Sequence, residues 1–288
     1  MKKLKMYADF IKVEHTLFAL PFAYIGAFMA AKEMLDLKMF ILVFLAFTSF
    51  RSAAMSLNRI IDKDIDALNP RTSNRHIPTG LISLKEAYAI TLISLFVYFL
   101  SAFSINETTF ILSPIPAITA LIYPYLKRIT CLSHFVLGLN LAYAPLGGWI
   151  SITNSFSLDS ELIPIIIGIA VIFWVAGFDI IYALQDLEFD KKYGLHSIGA
   201  HFGLKTALAI SALCHIIFFI LILTSLLLYK LGIIVLFGLF LMAIILIYQH
   251  LIVKDNFNER KIQVAFFYSN AAISGILFIS IVLDIFLF

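Results

Sequence analysis

Two acidic clusters, one in each half of this 288-residue sequence, contain the side chains best suited to chemistry. Each has one polar residue followed by two aspartates at intervals of four, and the second cluster begins 124 positions after the first (182 minus 58). Residues four apart stack on one face of an α-helix, so each cluster is predicted to present its side chains in one direction. The members are Asn58, Asp62 and Asp66 in the first acidic cluster, and Tyr182, Asp186 and Asp190 in the second acidic cluster.

Together the two clusters predict a site for a divalent cation and a phosphorylated ligand. Carboxylates this close in sequence repel one another unless a cation or a basic partner is present. Mg²⁺ prefers oxygen ligands and is often held by one or two carboxylates together with substrate phosphates. Charge-assisted hydrogen bonds from basic side chains would neutralise the remaining phosphate charge. The candidates for this role are Arg59, Lys63, Lys127 and Arg128.

The composition indicates that this site belongs to a membrane protein. Hydrophobic residues make up 61% of the chain and charged residues only 14%, and the mean hydropathy is +0.98. A soluble globular chain is nearer half apolar and a quarter charged. The two cysteines, Cys131 and Cys214, are far apart and form no metal-binding or redox motif. We therefore predict a polytopic membrane protein with an apolar, phenylalanine-rich bundle beneath the acidic clusters, which would suit a long lipid tail.

Nine segments reach the length of about 20 mainly apolar residues that a membrane span requires. The predicted fold is all-α, an integral membrane protein with nine transmembrane helices in a single bundle, and residues 1–288 are expected to form one domain. The predicted spans are 13–33, 38–60, 84–104, 108–126, 133–153, 162–183, 204–228, 231–252 and 263–287. In this assignment the acidic clusters occupy the last turns of the second and sixth spans and project past the hydrocarbon.

The distribution of lysine and arginine predicts the orientation of the chain. Cytoplasmic segments carry an excess of these residues, and here most of them fall on the side that holds the N-terminus and both acidic clusters. We expect a multi-pass protein of the plasma membrane with its N-terminus and active-site loops in the cytoplasm and its C-terminus outside. The net charge of +3 is small, so its distribution along the chain matters more than its sum. As a membrane protein, the chain is expected to have membrane lipids as partners, whereas neither nucleic acid nor an obligate protein partner is indicated.

Three motifs resemble the signatures of the UbiA family of intramembrane prenyltransferases. They are the first acidic cluster followed by Asn69-Pro70-Arg71-Thr72, the second acidic cluster preceded by Asp179, and the shorter Tyr123-x-x-x-Lys127-Arg128. The resemblance extends over the whole chain and includes the number of spans. The segments Glu14-His15-Thr16 and Leu20-Pro21-Phe22-Ala23 are similar to the branch that prenylates 4-hydroxybenzoate or a related acid, such as a dihydroxynaphthoate.

The resemblance implies transfer of a polyprenyl group from an allylic polyprenyl diphosphate to an aromatic hydroxy acid, in ubiquinone or menaquinone biosynthesis. The implied cofactor is Mg²⁺, with Mn²⁺ as an alternative, and the four clustered aspartates are the implied catalytic residues. By the same resemblance, Asn58, Asp62 and Asp66 hold one metal ion, while Asp186 and Asp190 hold the second. Metal-assisted loss of diphosphate would leave an allylic cation, shielded from water by the bundle and attacked by a ring carbon ortho to the phenol.

Seven residues are expected to bind the substrates: Asn58, Arg59, Lys63, Tyr123, Lys127, Arg128 and Tyr182. Many family members have aspartate where this chain has Arg59, so Arg59 is expected to contact diphosphate rather than metal. Consecutive helical residues point about 100° apart, so Lys127 and Arg128 cannot face one phosphate equally. Lys127 is assigned to the diphosphate, and Arg128 is assigned to the acid acceptor because its planar fork matches a carboxylate.

Other interpretations remain open at this level. A UbiA-family enzyme with another acceptor, such as haem-O synthase, chlorophyll synthase or an ether-lipid enzyme, would have a similar donor site. A secondary transporter would use intramembrane acids to carry ions, but transporter sites usually lie near the bilayer midplane, whereas these clusters lie at span ends. Arg51, inside the second span, either faces the site or caps backbone carbonyls, and Glu14 and His15 suit a wet interfacial position.

Overall fold

The computed structural model describes residues 2–157, 161–254 and 258–287 of the chain. In these ranges the regular structure is entirely helical, which confirms the all-α prediction. The helices are α1 (Lys2–Phe10), α2 (Thr16–Ala31), α3 (Leu37–Ile61), α4 (Lys63–Leu68), α5 (Leu84–Ile105), α6 (Glu107–Leu112), α7 (Pro114–Leu126), α8 (Ser133–Thr153), α9 (Leu162–Ala183), α10 (Leu187–Tyr193), α11 (Ile198–Leu228), α12 (Ile233–Lys254), α13 (Glu259–Gln263) and α14 (Ser269–Leu287). Short 3₁₀ turns lie at Val13–His15 and Leu184–Asp186, and a π-helical turn lies at Val264–Tyr268.

Nine helical segments in the described ranges are long and apolar enough to cross a membrane, as predicted. They are span 1 (Val13–Ala31), span 2 (Leu37–Ile61), span 3 (Leu84–Ile105), span 4 (Glu107–Leu126), span 5 (Ser133–Thr153), span 6 (Leu162–Tyr193), span 7 (Ile198–Leu228), span 8 (Ile233–Lys254) and span 9 (Arg260–Leu287). The predicted start of span 7 at residue 204 coincides with an interruption of its helix, because Gly203 has φ 78° and ψ 170°.

A fully buried tryptophan joins four of the spans at the centre of the bundle. The ring of Trp174 in span 6 stacks on Phe218 of span 7, with 5.8 Å between centroids, and contacts Phe22 of span 1 at 4.9 Å. Its indole N–H donates to Asn270 Oδ1 of span 9 (3.0 Å). A buried aromatic side chain with a satisfied polar atom packs a large apolar surface and also fixes its own orientation. Trp174 therefore helps to hold spans 1, 7 and 9 against span 6.

Spans 1 and 5 approach each other through two glycines. A Cβ atom on Gly26 would lie 2.0 Å from the carbonyl oxygen of Pro145, and one on Gly148 would lie 1.9 Å from that of Ala23. Small residues allow such backbone contact between membrane helices, where van der Waals packing drives association. The close approach of spans 1 and 5 therefore depends on glycine at both positions.

Both acidic clusters lie where a span is interrupted at its end. α3 ends at Ile61, Asp62 adopts φ −90° and ψ 3°, and α4 then begins. Span 6 changes to a 3₁₀ turn at Leu184–Asp186 before α10. Each cluster therefore extends from the end of one helix into the next, and the predicted ends of spans 2 and 6, at residues 60 and 183, lie within one residue of the ends of α3 and α9. At the first break, Arg128 Nη2 donates to the carbonyl oxygen of Ile61 (2.8 Å), which provides a partner for a carbonyl at a helix end.

Candidate active site

Both aspartates of the first acidic cluster are buried and paired with basic side chains from other segments. Asp62 is 2% exposed, and its Oδ2 lies 2.6 Å from Nζ of Lys127, which follows span 4. Asp66 is 3% exposed, and both of its oxygens accept from Nη1 of Arg75 (2.7 and 2.8 Å). The amide Nδ2 of Asn58 lies 3.4 Å from Asp62 Oδ2. The structure thus brings the three predicted residues together with two cations that balance their charge.

The second acidic cluster is organised by Arg71. The Arg71 Nε donates to Asp186 Oδ1 (2.8 Å) and its Nη2 donates to Oδ2, so the guanidinium binds the carboxylate with two bonds. Its Nη1 donates to the hydroxyl of Tyr182 (2.9 Å). Asp190 is buried and hydrogen-bonded to Ser197. One arginine from the loop after the first cluster therefore holds two of the three predicted members of the second.

The same loop connects the two clusters. Asn69, which is buried, donates from Nδ2 to Asp186 Oδ1 (2.8 Å) and accepts at Oδ1 from the backbone N–H of Arg71 (3.0 Å). These bonds fix the start of the loop while its arginine reaches the second cluster. The ammonium of Lys127 acts electrostatically on one aspartate of each cluster. Two motifs that are 124 residues apart therefore form one site.

The intervening acidic residues of both clusters face away from this site. The side chains of Asp64 and Glu188 are 84% and 86% exposed. Lys63 pairs with Asp64 (2.9 Å), so the structure places Lys63 at the surface and not among the buried aspartates. Its expected role in substrate binding stays a prediction without a supporting contact.

Two further predicted binding residues lie beside Asp62. Arg128 is partly exposed, with its Nη2 on the Ile61 carbonyl and 3.5 Å from Asp62 Oδ1, so its expected contact with an acceptor carboxylate stays a prediction. Tyr123 is half-buried one turn before Lys127, and the charges of Asp62 and Asp179 act on its hydroxyl.

Two arginines of span 2 have very different surroundings. The Nη1 of Arg51 donates to the carbonyl oxygens of Ile11 (3.3 Å) and Lys12 (3.2 Å), which supports the backbone-capping interpretation. Arg59 is 6% exposed, and within the described ranges its guanidinium makes no hydrogen bond and no ion pair; its Nε is fully buried.

Burial and ion pairing act in opposite directions on the charged groups of the site. Burial raises the pKa of the Asp62 carboxyl above its ordinary value, although the ammonium of Lys127 opposes this effect. Burial alone would lower the pKa of the Arg71 guanidinium, but Asp186 and Tyr182 more than offset it, so that pKa is raised. Arg71 therefore remains a cation, whereas the charged form of Asp62 would be stabilised by a further positive charge.

The donor set at the site fits a divalent cation that is completed by its ligand. Across the described parts of the chain, no group of three or more His, Cys, Asp or Glu side chains could hold a metal by itself. The buried aspartates instead offer pairs of hard oxygen donors, and among the described residues Asp62 Oδ1 has no hydrogen-bond partner. Mg²⁺ is commonly held by one or two carboxylates plus phosphate oxygens, so this arrangement suits it better than it suits zinc.

Sequence reasoning assigned no role in the site to three residues that contact the predicted aspartates or their motif: Arg71, Arg75 and His134. Arg71 and Arg75 follow the first cluster closely, but the spacing did not show that they would fold back onto aspartates. His134 Nδ1 lies 2.7 Å from Asp179 Oδ2, one helical turn before Tyr182. The position of Asp179 inside the second motif was the available signal; nothing in the sequence pointed to His134.

Comparisons with known proteins agree with the geometry. A family model described as the UbiA prenyltransferase family matches residues 19–271. The chain is similar to a 4-hydroxybenzoate octaprenyltransferase of Aliivibrio fischeri, with 31% identity over 259 residues, covering 88% of this chain and 87% of the relative.

Two solved structures have a similar fold. The apo structure of a UbiA homolog from Aeropyrum pernix K1 has a TM-score of 0.84 and 36% identity, covering 94% of this chain and 98% of that one. A UbiA homolog from Archaeoglobus fulgidus bound to GPP and Mg²⁺ has a TM-score of 0.70 and 25% identity, covering 96% of this chain and 99% of that one.

Proposed function

The chain belongs to the UbiA prenyltransferase family and is a multi-pass membrane prenyltransferase, and from that premise we propose that it transfers a polyprenyl group from an allylic polyprenyl diphosphate to an aromatic hydroxy acid. 4-Hydroxybenzoate is the first candidate acceptor, because a relative of 31% identity over most of the chain acts on it by name. A dihydroxynaphthoate-type acid is the second candidate. The product would be a precursor of ubiquinone or menaquinone.

One observation carries the proposal: Asn69 and Arg71, from the loop after the first acidic cluster, bind Asp186 of the second. A prenyl diphosphate needs oxygen donors for metal ions and basic groups for phosphate oxygens at the same place. Both kinds of group occur here in buried or half-buried pairs, on top of a bundle rich in apolar side chains. The carboxylates lie at span ends, as a membrane-surface enzyme requires, and family membership favours this function over the transporter alternative.

The four clustered aspartates are the residues proposed to hold two Mg²⁺ ions. Asp62 and Asp66, with the amide oxygen of Asn58, would hold one ion, and Asp186 and Asp190 would hold the other. When bound, the ions withdraw charge from the bridging oxygen and so make diphosphate a better leaving group. The basic partners of the aspartates are placed to bind the remaining phosphate oxygens.

The proposed reaction exchanges a carbon–oxygen bond for a carbon–carbon bond. The allylic C–O bond breaks, and diphosphate leaves with the electron pair, held by the basic side chains Lys127, Arg71 and Arg75. The allylic cation is attacked by the ring carbon ortho to the phenolic hydroxyl. The ring then loses the proton from that carbon to a carboxylate of the site, and aromaticity is restored. The products are the prenylated acid, diphosphate and one proton.

The whole chain is proposed to act as one catalytic domain in the plasma membrane. The excess of lysine and arginine beside the N-terminus and the acidic clusters supports a cytoplasmic location for both. In this orientation the charged headgroup of the donor is bound at the cytoplasmic surface while its tail stays in the bilayer.

The direct test is a turnover assay with purified protein in lipid nanodiscs. The protein is supplied with a radiolabelled polyprenyl diphosphate, Mg²⁺ and, in separate reactions, 4-hydroxybenzoate, 1,4-dihydroxy-2-naphthoate or 1,4-dihydroxy-6-naphthoate. We expect a prenylated acid with one of them, identified by mass spectrometry, and none after addition of EDTA. Absence of any prenylated aromatic acid, with the donor still bound, would refute the proposed acceptor class.

Matched variants test whether turnover needs the aspartates of the site in particular or only acidic side chains in the same motifs. Asp186→Ala and Asp190→Ala should each lower turnover by orders of magnitude while the protein stays folded. The controls are Asp64→Ala and Glu188→Ala, because these carboxylates belong to the same two motifs but are exposed. Wild-type turnover in the first pair, or an equal loss in both pairs, would contradict the two-cluster site.

A further inference from the structure

Arg59 is a buried cation that none of the described residues pairs with. Its side chain is 6% exposed, and its fully buried Nε has no hydrogen-bond partner in the described ranges. An arginine that loses hydration without gaining an anionic partner is costly, and such a group at the edge of a binding site indicates a missing ligand. Its location in span 2, directly after Asn58, places it at the edge of the first acidic cluster.

Arg59 lies within electrostatic range of groups from the first acidic cluster, the second acidic cluster and span 1. The charges that act on it include those of Arg75 and Asp66, of Tyr182 in the second acidic cluster and of Glu14 in span 1.

Aromatic side chains surround Tyr182 and the start of span 1. The ring of Phe266 lies 4.2 Å from Tyr182 and 5.4 Å from His15, measured between centroids, and the charge of Arg59 acts on His15. All three rings are half-buried, so parts of their surfaces are accessible. Phe266 belongs to the π-helical turn Val264–Tyr268, and π-helical turns often occur at functional sites. A planar aromatic ligand could pack against these rings next to a guanidinium.

We propose that Arg59 binds the carboxylate of the aromatic acceptor and that the acceptor's ring packs against Tyr182, Phe266 and His15. The inference rests on the proposed function, which it deepens by identifying where the acid is recognised. Tyr182 joins this surface to the donor site, because its hydroxyl accepts a hydrogen bond from Arg71, which also binds Asp186. An acceptor held in this way lies beside the second acidic cluster.

The carboxylate of an acceptor suits Arg59 better than diphosphate does. Lys127, Arg71 and Arg75 already lie on the aspartates at which a metal-bound diphosphate would sit. Arg59 contacts none of those aspartates directly in the described ranges. A guanidinium binds a carboxylate through two parallel hydrogen bonds, and an anion at this position would also remove the cost of its unpaired buried charge.

The test compares an acid with its neutral amide. Michaelis constants for 4-hydroxybenzoate, 4-hydroxybenzamide and the prenyl diphosphate are measured for the wild type, Arg59→Gln and Arg59→Lys. In Arg59→Gln we expect the Michaelis constant for the acid to rise roughly tenfold to a hundredfold. This is the loss of binding expected when one charge-assisted hydrogen bond is removed. The constants for the amide and the donor should stay close to the wild type, and Arg59→Lys should restore part of the preference for the acid.

The same assay with Arg128→Gln tests the competing assignment, in which Arg128 binds the carboxylate of the acceptor. If the preference for acid over amide survives in Arg59→Gln, or is lost in Arg128→Gln alone, the assignment to Arg59 is overturned. A rise in the donor constant alone in Arg59→Gln would move this residue to the diphosphate. If Arg59→Gln does not fold, the result for Arg59→Lys decides. A few-fold rise in the Michaelis constant for the acid alone is then expected, and no rise would count against the proposal.

Failure of the proposed function is distinguishable from failure of this inference. Calorimetric titration of 4-hydroxybenzoate and 4-hydroxybenzamide into the protein without donor measures acceptor binding directly. A wild type that binds the acid more tightly than the amide, but prenylates neither, would refute the function and not the binding site. If Arg59→Gln keeps the wild-type difference in affinity, the binding site is wrong whatever the turnover.

Discussion

The ion pair between Arg71 and Asp186 should contribute measurably to the stability of the metal-free protein. The arginine binds the carboxylate with two bonds, and the side chains are only 25% and 16% exposed. A hydrogen bond to a charged group contributes about 1.5–3 kcal/mol, and two could reach about 3–6 kcal/mol. Partial exposure and the entropy of fixing an arginine reduce this sum, so we expect a coupling free energy of about 2–3 kcal/mol.

A double-mutant cycle isolates that coupling from the other effects of each substitution. Arg71→Gln, Asp186→Asn and the double variant are unfolded by heat in the same detergent with EDTA present. At about 2–4 °C per kcal/mol, the double variant should be roughly 4–12 °C more stable than the sum of the single losses implies. The matched control is the cycle of Lys63→Gln and Asp64→Asn, whose exposed pair should show coupling near zero.

Additivity within error in the first cycle would show that the two side chains do not interact in the metal-free protein, and the bridge between the acidic clusters would then be wrong. Equal coupling in both cycles would show that the measurement reports general electrostatics and not this contact. The expected difference between the cycles follows from burial and from the two-bond geometry of the Arg71 pair, since both pairs have opposite charges at contact distance.

Three further outcomes are expected. Because burial raises the pKa of Asp62, the stability that its neutral carboxyl provides is lost as pH rises through that pKa, and its charged form destabilises the fold. Asp62→Asn should therefore raise the unfolding temperature in EDTA at the high-pH end of a pH series while abolishing turnover; a lower temperature there would show that the Lys127 pair dominates. Gly148→Ala should destabilise the protein by about 1–3 kcal/mol in thermal unfolding through overpacking against span 1, whereas Gly147→Ala, which has open space, should be near neutral. Single cysteines at residues 73 and 157 of a cysteine-free protein should react with impermeant reagents from opposite sides of the membrane; reaction of both from one side would refute the proposed orientation.

The positions of the spans could be predicted from sequence because they depend on a local property. A run of about 20 apolar residues is sufficient to identify a membrane helix, whatever it packs against. Even the interruption at Gly203 left a signal, since the apolar run begins just after it. The predicted ends of spans 2 and 6, at residues 60 and 183, likewise lie within one residue of the ends of α3 and α9. The sequence did not show that Arg128, from the end of span 4, donates to the carbonyl of Ile61.

The candidate site was predictable only in the part that follows helical spacing. The interval of four residues identified the clustered aspartates, and burial separates them from the exposed Asp64 and Glu188 in between. The pairing of cations with aspartates depends on how the loop after α4 folds, which no periodicity encodes. For this reason Lys63, adjacent to an aspartate in sequence, lies at the surface, whereas Lys127, 65 residues from Asp62, forms the buried pair.

The charge of the site gives an independent reason to expect an anionic acceptor. Four buried or half-buried aspartates face three basic partners within hydrogen-bond distance. With the unpaired guanidinium of Arg59 these eight groups sum to zero charge, when the more exposed Arg128, 3.5 Å from Asp62, is left out. In the proposed assignment two divalent ions add four positive charges and the diphosphate group removes about three, which leaves about one positive charge. A net charge in a poorly hydrated site is costly, and an acceptor carboxylate would cancel it. Because Arg128 is exposed enough for solvent to screen its charge, Arg59 is where that carboxylate gains most. The donor-loaded enzyme should therefore prefer an acid over its amide more strongly than the donor-free enzyme does.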